Sequence, residues 1–363
     1  MSGKVILLCA GGTGGHLFPA EALAAALKPR GYIIDLATDE RGAAFTGAFP
    51  ARQVHAIPSE TVRSRSPIAM ANTAWKLGSG AVSAWLMLGR VKPAVVVGFG
   101  GYPTVPPLLM ASWRGIPTLI HEANAVMGRA NRMLARRVRK VATGFPDVAL
   151  LDPEARPKLV HTGNPVRSAV IAAATMPYPP LDGRLNLLVF GGSQGARVMS
   201  DIVPAAIGGL GAGLRARLSI VQQAREEDLS RVRQAYAELG VTADVAPFFT
   251  DLPARMAQAH FVVSRGGAST VAELAVIGRP SLLVPLPGAL DQDQAANAKA
   301  LAAAGGARVM MQSEFTSPAL AGALASLLAD APGLSAMAAA ARAAGAADAA
   351  ERLAGQVAAL AGD

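Results

Sequence analysis

Two glycine-rich turns, each directly after a short apolar strand, are the segments of this chain best suited to bind phosphate. VILLCA runs into GGTGGH at Gly11, and LNLLVF runs into GGSQGAR at Gly191. A strand that ends in glycines and opens a helix presents backbone N–H groups and the positive end of a helix dipole to an anion. Since the turns start 180 residues apart in a chain of 363, they predict two similar α/β domains facing a cleft that holds a phosphorylated ligand.

A third segment with chemical potential is SRGGASTVAELAVIGRP, residues 264–280, which precedes another apolar strand and the helix QDQAANAKAL. Its two glycines let the backbone turn out of a strand into a helix N-terminus suited to a nucleotide phosphate or ribose. The carboxylate of Glu273 can accept hydrogen bonds from both ribose hydroxyls, although acids are also common near helix N-termini. Gln294 and Asn297 lie three apart on one helix face and offer amides to sugar hydroxyls.

The elements that must position these residues alternate along the chain. Apolar strands alternate with helical segments, which predicts parallel sheets covered on both faces. A domain boundary is expected near HTGNPVR and PYPPLDG, so we predict an N-terminal domain over residues 1–163 and a C-terminal domain over residues 164–344. The alanine-rich tail predicts helices. The predicted strands are KVILLCA, YIIDLAT, PAVVVGFGG, PTLIHE, RKVATG, RLNLLVFGG, LSIVQQA, ADVAPFF, HFVVSRGG and PSLLVPLPG.

Composition limits the classes of protein that the chain can belong to. The single cysteine, Cys9, excludes internal disulfides and favours a reducing compartment. The apolar run after Lys4 is too short for a secretory signal, and the uncharged residues 93–113 contain prolines and glycines that favour a strand, a turn and a helix start. Residues 1–167 hold 20 Lys+Arg against 9 Asp+Glu. This excess indicates an anionic membrane more than nucleic acid, because no nucleic-acid-binding motif accompanies it.

Common nucleotide and metal motifs are absent from the sequence. Leu17 stands where a dinucleotide fingerprint needs its third glycine, and the Gly3-Lys4 pair lacks the upstream glycine of a P-loop. Asp291-Gln292-Asp293 mimics the metal-binding DxD triplet of some glycosyltransferases. Acids are also favoured where this helix begins. We therefore expect neither a catalytic metal nor a cofactor.

Six motifs taken together resemble the MurG family of bacterial peptidoglycan glycosyltransferases. The resemblance implies a GT-B fold with two Rossmann-like domains, of which the first binds a lipid-linked acceptor and the second binds UDP-GlcNAc. It also implies a final helix, about residues 345–361, that packs back on the first domain. The implied reaction transfers GlcNAc with inversion to the 4-hydroxyl of the muramyl sugar of lipid I, forming lipid II. The motifs are GGTGGHLFPA, HEAN, TGNPVR, GGSQGAR, SRGGASTVAEL and DQDQAAN.

The same resemblance implies a set of donor contacts. Asp293 departs from the amide that some relatives carry at its position, so it is left out of the set, while Gln294 is retained. The implied contacts are Thr13, Gly14, Gly15, Asn124, Arg167, Ser193, Phe248, Ala268, Ser269, Thr270, Val271, Ala272, Glu273 and Gln294.

Inverting transfer needs a base at the acceptor hydroxyl, and the chain has five histidines to choose from. His16 ends the first glycine turn, and an imidazole has a pKa suited to this task. His16 is therefore the candidate base, with capping of the loop as the alternative role. His121, which precedes Glu122 at the end of a predicted strand, is the alternative base.

Residues 71–89 place Trp75 and Trp85 among apolar side chains, with cations on both sides. This pattern fits a surface seated in an anionic bilayer, and by pattern alone it fits a buried helix equally well. A lipid-linked acceptor favours the first interpretation. We therefore expect a peripheral protein on the cytoplasmic face of the bacterial inner membrane, with other cell-wall and division proteins as partners. The candidate membrane residues are Trp75, Trp85, Arg90, Arg136, Arg137 and Lys140.

Two other classes of function share the GT-B architecture. One is a transferase that acts on a soluble acceptor, which acceptor profiling would separate. The other is a non-hydrolysing epimerase or a nucleotide-sugar binding protein, and epimerisation would appear as product from UDP-GlcNAc alone.

Overall fold

The computed structural model describes residues 3–11, 14–39, 42, 49–58, 67–192, 195–288 and 293–363, and along residues 67–77 it describes the backbone alone. The chain forms two compact units. Unit 1 contains residues 1–167 and 347–363, and unit 2 contains residues 168–346. Residues 164–167, which the sequence assigns to the second domain, lie with unit 1, where the Arg167 guanidinium stacks on the ring of Phe18 at 4.0 Å.

Unit 1 is built on a seven-stranded parallel sheet in the order β3-β2-β1-β4-β5-β6-β7. Its central strands are almost wholly apolar because helices cover both faces. The strands are β1 (Val5–Cys9), β2 (Ile33–Thr38), β3 (Gln53–Ala56), β4 (Val95–Gly98), β5 (Thr118–Glu122), β6 (Lys140–Thr143) and β7 (Leu159–His161). The helices are α1 (Gly14–Leu27), α2 (Pro67–Val91), α3 (Val105–Trp113) and α4 (Arg129–Ala135).

Unit 2 repeats this architecture with a six-stranded parallel sheet in the order β10-β9-β8-β11-β12-β13. The α/β class with two parallel sheets is thus confirmed. The strands are β8 (Leu185–Phe190), β9 (Leu218–Gln223), β10 (Thr242–Ala246), β11 (Phe261–Ser264), β12 (Ser281–Leu283) and β13 (Ala307–Val309). The helices are α5 (Ser168–Ala173), α6 (Arg197–Gly208), α7 (Ala212–Arg217), α8 (Leu229–Glu238), α9 (Leu252–Gln258), α10 (Ala268–Ile277), α11 (Asp293–Ala303), α12 (Ser317–Ala329) and α13 (Ala331–Ala344).

The last helix, α14 (Ala349–Ala361), belongs to unit 1 although unit 2 precedes it in the chain. Leu353 and Val357 are buried in the core that α1 forms with the sheet. Beyond the helix, the Asp363 carboxylate pairs with the Lys4 ammonium and accepts a hydrogen bond of 2.6 Å from the Tyr32 hydroxyl. Apolar burial and these polar contacts together hold the C-terminal helix on the first sheet.

Both sheets have a topological switch point, at which the strand order reverses direction along the sheet. The switch lies between β1 and β4 in unit 1 and between β8 and β11 in unit 2. In open parallel sheets, ligands bind beyond the carboxyl ends of the strands at this point. Gly11 and Gly191, which begin the two glycine-rich motifs, follow β1 and β8, so each of these residues lies at the switch point of its own sheet.

Residues 93–113, a long uncharged stretch of the sequence, form β4, a short 3-10 turn and α3. The predicted order of strand, turn and helix start is thus confirmed. Among the described residues, no single helix is long and apolar enough to cross a membrane. One bent pair, α12 with the helices from Ala331 to Ala361, is long and apolar enough by length and composition only.

Candidate active site

The switch point of unit 1 is lined by glycine backbone from two neighbouring strands. Gly11 follows β1, Gly100 and Gly101 follow β4, and the Gly11 N–H donates to the Gly100 carbonyl at 3.2 Å. Gly100 and Gly101 have positive φ values of 90° and 81°, which side-chain-bearing residues rarely adopt. A Cβ on Gly101 would lie 3.0 Å from the Gly11 Cα. Glycine is therefore required for this close approach of two strand ends.

His16 lies in the first turn of α1, with its imidazole against these glycines. A Cβ on Gly11 would lie 3.2 Å from His16 Nδ1, and a Cβ on Gly100 would lie 3.3 Å from His16 Nε2. The side chain is half-buried. Burial lowers the pKa of His16, and the nearby Asp39 carboxylate opposes that shift. The net shift favours the neutral form of the imidazole, which is the form that can accept a proton.

His121, the alternative base, lies at the end of β5 with no exposed surface. Its Nε2 donates to the Gly163 carbonyl at 3.1 Å, and Nδ1 has no hydrogen-bond partner among the described residues. Burial lowers the pKa of His121 to about 4. An enclosed imidazole whose one N–H is already bound to backbone cannot reach an acceptor hydroxyl, so the structure argues for a structural role.

Glu122, the next residue, organises the loop that follows β5. Its Oε1 accepts from the Asn124 backbone N–H at 2.9 Å and from Asn124 Nδ2 at 3.1 Å. Its Oε2 accepts from the Gly128 N–H at 2.9 Å and from Asn131 Nδ2 at 2.8 Å. Burial raises the pKa of Glu122, and these four hydrogen bonds counteract the rise. The carboxylate thus fixes the backbone at Asn124, one of the implied donor contacts.

Arg167, another implied donor contact, is held by side chains of α1. Its guanidinium stacks on the Phe18 ring, which also packs against Gly14, where a Cβ would lie 3.1 Å from the ring. The Glu21 carboxylate is close enough for Arg167 to lower its pKa, although burial raises that pKa more. Arg167 therefore lies beside the amino-terminal part of α1, the helix that begins with Gly14 and Gly15.

In unit 2, the described glycines after β8 (Gly191, Gly192 and Gly195) have the tight geometry that the sequence predicts. A Cβ on Gly191 would lie 2.2 Å from the Ala196 nitrogen. The Gly195 N–H donates to the Gly192 carbonyl at 3.0 Å, and both residues have positive φ. Only glycine fits at Gly191, and the turn delivers the chain directly into α6.

Gln223, at the end of β9, connects two loops that carry implied donor contacts. Its Oε1 accepts from the Gly191 N–H at 3.0 Å, and its Nε2 donates to the Pro247 carbonyl at 3.1 Å. Pro247 precedes Phe248, an implied donor contact whose side chain is 60% exposed. Sequence reasoning missed Gln223, although a pair of glutamines closing an apolar strand was an available signal.

The switch point of unit 2 is completed by the turn from β11 into α10. The residue before this helix is Gly267, which has no side chain that could cap the first-turn N–H groups. A Cβ on Gly266 would lie 2.5 Å from the Gln294 carbonyl oxygen. Asn297, fully buried, donates from Nδ2 to the Gly266 carbonyl at 3.2 Å. These contacts bring the start of α11 against the start of α10.

Most implied donor contacts of unit 2 gather around these turns. Glu273 is 5% exposed in the second turn of α10, and Gln294 accepts from the Leu286 N–H at 3.0 Å through its Oε1. Arg265, also missed by sequence reasoning, donates to the Val284 and Pro285 carbonyls and so fixes the backbone directly after β12. Four further contacts, Ala268, Ser269, Thr270 and Val271, form the first turn of α10, and Ala272 follows them.

Several predicted residues lie outside the described part of the chain. Thr13, Ser193, Asp291 and the side chain of Trp75 belong to this group. The residues that the structure does describe contain no group of three or more His, Cys, Asp or Glu side chains that could hold a metal ion.

An exposed apolar surface lies on the helices that cover one face of the first sheet. Val82, Trp85 and Leu86 of α2 and Trp113 at the end of α3 are exposed. Arg114 stacks on the Trp85 ring at 3.9 Å, so α2 and the end of α3 meet at this point. Sequence reasoning missed Trp113 and Arg114 because the two helices are far apart in the chain.

The other candidate membrane residues have different surroundings. Arg137 is exposed beside the end of α3, where its carbonyl accepts from the Ser112 hydroxyl at 3.2 Å. Arg136 is paired with Asp152 at 2.5 Å. Lys140 is half-buried and donates to Gln356 of α14 at 2.5 Å. Lys140 therefore holds the C-terminal helix, and the structure gives no support to its membrane role.

Comparison with known proteins identifies the class to which this fold and site belong. Residues 6–143 match the glycosyltransferase family 28 N-terminal domain, and residues 186–353 match the glycosyltransferase family 28 C-terminal domain. The molecule is thus a glycosyltransferase with the GT-B fold, as the sequence predicted. The chain belongs to glycosyltransferase family 28 and, within that family, to the MurG group.

The relatives that place it there match over nearly the whole chain. A protein of Rhodopseudomonas palustris strain CGA009, named UDP-N-acetylglucosamine--N-acetylmuramyl-(pentapeptide) pyrophosphoryl-undecaprenol N-acetylglucosamine transferase, is 59% identical over 98% of both chains. The crystal structure of Acinetobacter baumannii MurG matches with a TM-score of 0.80 and 30% identity, over 98% of this chain and 99% of that one. A Neisseria meningitidis UDP-GlcNAc 2-epimerase has a TM-score of 0.67 at 14% identity, over 98% of this chain and 99% of that one. At this identity the likeness shows the fold alone.

Proposed function

We propose that this enzyme transfers GlcNAc from UDP-GlcNAc to the 4-hydroxyl of the muramyl sugar of undecaprenyl-pyrophosphoryl-MurNAc-pentapeptide, with inversion at the anomeric carbon. The observation that carries the proposal is the 59% identity, over 98% of the chain, to a protein named for this transfer. In the reaction, the acceptor oxygen forms the new glycosidic bond as the bond to UDP breaks. A base takes the hydroxyl proton, and the leaving diphosphate carries the negative charge away.

The residues at the carboxyl edge of the second sheet suit the sugar nucleotide. The helices α6 and α10 begin after Ala196 and Gly267, and neither residue caps its helix with a side chain. The first-turn N–H groups of such helices stabilise the charge of a departing diphosphate without a metal. Glu273 and Gln294 supply a carboxylate and an amide for ribose and sugar hydroxyls. No catalytic metal and no cofactor are part of the proposal.

His16 is the proposed base for the acceptor hydroxyl. It is half-buried at the switch point of the first sheet, where ligands of such sheets bind. Because burial lowers its pKa, the neutral form of the imidazole, which can accept the proton, is favoured. His121 is not proposed for this role, since its ring is enclosed and bonded to the Gly163 carbonyl.

We also propose that unit 1 sits on the cytoplasmic face of the inner membrane as a peripheral protein, with cell-wall and division proteins among its partners. The support is the exposed surface of Val82, Trp85, Leu86 and Trp113, together with Arg90, Arg114 and Arg137 beside or near these residues. Tryptophan and cations combined with aliphatic side chains suit the boundary between headgroups and acyl chains. The acceptor lipid is anchored in that same boundary.

The test of the transfer is an assay with UDP-GlcNAc and a short-chain lipid I analogue, in which the disaccharide product is separated and identified. We expect product only when both substrates are present. Release of ManNAc or its UDP derivative from UDP-GlcNAc alone would identify an epimerase. Transfer to a soluble acceptor in preference to the lipid I analogue would identify a different acceptor class.

The test of the membrane surface is vesicle binding by the variant Trp85→Ser/Trp113→Ser. We expect weaker binding to phosphatidylglycerol-containing vesicles and unchanged turnover of a water-soluble acceptor analogue, because both rings are exposed. Binding equal to that of the wild type would refute the membrane surface. Circular dichroism of the variant checks that the helices remain intact.

A further inference from the structure

Arg225 lies beside Gly195, one of the described glycines after β8, at the carboxyl edge of the second sheet. It comes two residues after the end of β9. A Cβ on Gly195 would lie 3.2 Å from the Arg225 Cγ and 3.9 Å from its Nε. Gly195 has a φ of 65°, so glycine suits this position in conformation as well as in size. The missing side chain at Gly195 leaves space for a guanidinium group at this edge.

The Arg225 guanidinium has hydrogen-bonding capacity that the protein does not use. Its Nε is buried and has no hydrogen-bond partner among the described residues. Its Nη1 lies 4.0 Å from Glu227 Oε1, and the two side chains are 40% and 64% exposed. An ion pair at this distance between exposed groups contributes little. A buried N–H without an acceptor is unfavourable, so the Nε–H of Arg225 favours the binding of a ligand oxygen.

The backbone that carries Arg225 is held on both sides. The N–H of Ala224 donates to the Ala246 carbonyl at 3.1 Å, and the Arg225 carbonyl accepts from the Asp228 N–H at 2.8 Å. Asp228 is itself buried and paired with Arg231 at 2.7 Å. Because the backbone is already ordered, an anion that binds to Arg225 has only the side chain to immobilise.

The order of the strands places Arg225 and Ser269 on opposite sides of the end of β8. The neighbours of β8 are β9, which leads to Arg225, and β11, which leads to the first turn of α10 and Ser269. The Ser269 Oγ is also buried without a hydrogen-bond partner among the described residues. Adjacent strands are about 4.8 Å apart. Two unpaired donors therefore flank the switch point at which the sugar nucleotide is expected.

We propose that the Arg225 guanidinium binds the diphosphate of the sugar-nucleotide donor and stabilises it as the leaving group. The inference rests on the proposed function, which makes UDP-GlcNAc the donor. The Nε–H and one Nη–H can donate side by side to two phosphate oxygens. When the bond from the anomeric carbon to the β-phosphate oxygen breaks, its electron pair stays on that oxygen. The positive charge of Arg225 offsets this growing negative charge.

The test compares the full-length wild type with Arg225→Gln and Arg225→Lys, and uses Arg184→Gln as the matched control. Arg184 is an exposed arginine that precedes β8, at the amino edge of the same sheet. The dissociation constant of UDP is measured by calorimetry, and that of uridine by NMR titration. Since a charge-assisted hydrogen bond to phosphate is lost, we expect Arg225→Gln to weaken UDP binding by roughly 10- to 100-fold. Uridine binding should not change, and Arg184→Gln should bind both ligands like the wild type.

Arg225→Lys and the transfer kinetics separate charge from geometry. Lysine keeps the charge but cannot donate in the paired arrangement, so we expect UDP affinity between those of the wild type and Arg225→Gln. In the transfer assay, Arg225→Gln should lower kcat as well as raise the donor KM, because the charge on the leaving group grows in the transition state. A residue that only supported the backbone after β9 would affect UDP and uridine equally. An unchanged kcat would overturn the stabilisation of the leaving group.

A measurement on the wild type keeps the inference testable if the variants do not fold. We expect UDP to shift the NMR signal of the Arg225 Nε–H, and uridine to leave it in place. An unmoved signal, an unchanged UDP affinity in Arg225→Gln, or equal losses for UDP and uridine would each overturn the inference. A wild type that does not bind UDP would refute the proposed donor instead, whereas UDP binding that is insensitive to Arg225 refutes this inference alone.

Discussion

The buried imidazole of His121 predicts a specific loss of stability in mild acid. Its pKa falls from 6.5 to about 4 in the folded protein, because a charged ring would be enclosed without solvent. In the unfolded chain the ring titrates normally. Between these two values the unfolded state therefore binds more protons than the folded state, so the free energy of unfolding decreases as the pH falls from 6.5 towards 4.

The size of the effect follows from the same shift. Each pKa unit corresponds to about 1.4 kcal/mol, so the full contribution of His121 is about 3 kcal/mol. About 2 kcal/mol of it is lost by pH 5. Against a typical stability of 5–15 kcal/mol for a folded domain, this is a loss that is easily measured.

The assay is urea unfolding followed by tryptophan fluorescence at a series of pH values. All three tryptophans, Trp75, Trp85 and Trp113, lie in unit 1, so the signal reports the unit that contains His121. The comparison variant is His121→Gln, whose amide can still donate to the Gly163 carbonyl but does not titrate. We expect a lower stability near pH 7 and a flatter pH dependence in the variant.

The refuting result is a variant whose unfolding free energy depends on pH between 6.5 and 4 as steeply as that of the wild type. It would mean that the His121 ring is charged or solvated in the folded protein. That result would refute the structural role assigned to His121, and His121 would again be a candidate base.

Three further predictions concern the transfer reaction. Glu273→Ala should raise the donor KM by about 10- to 100-fold with little change in the acceptor KM, since a charge-assisted hydrogen bond contributes roughly 1.5–3 kcal/mol; an unchanged donor KM would remove Glu273 from the site. His16→Ala should lower kcat by about 100- to 10,000-fold while UDP still binds, as expected for loss of a general base; a normal kcat would leave His16 only a structural role. Activity should survive EDTA, and loss of activity restored by a divalent ion would reopen Asp291 and Asp293 as metal ligands.

The sequence by itself determined the fold class, the ten strands that it predicted and the positions of the glycine turns. These features are local, because a run of apolar residues followed by glycines specifies a buried strand and a tight turn wherever it occurs. Gly191 illustrates this: its neighbour Ala196 is five residues away and leaves no room for a Cβ. The strands that the sequence missed, β3, β7 and β13, are all edge strands. An edge strand is covered less than a central one and needs no continuous apolar run.

Only the tertiary structure decided which polar residues are enclosed and which face a ligand. In the sequence, His16 and His121 are both candidate bases that come shortly after or at the end of a predicted strand. In the structure, His16 is half-buried against glycines, whereas His121 has no exposed surface. Gln223 reaches Gly191 and Pro247 across neighbouring strands, and Lys140 reaches Gln356 across more than 200 residues of chain. Burial and hydrogen-bond partners depend on which strands become neighbours. Which strands become neighbours is decided by the packing of the whole sheet, so a local sequence pattern cannot predict it.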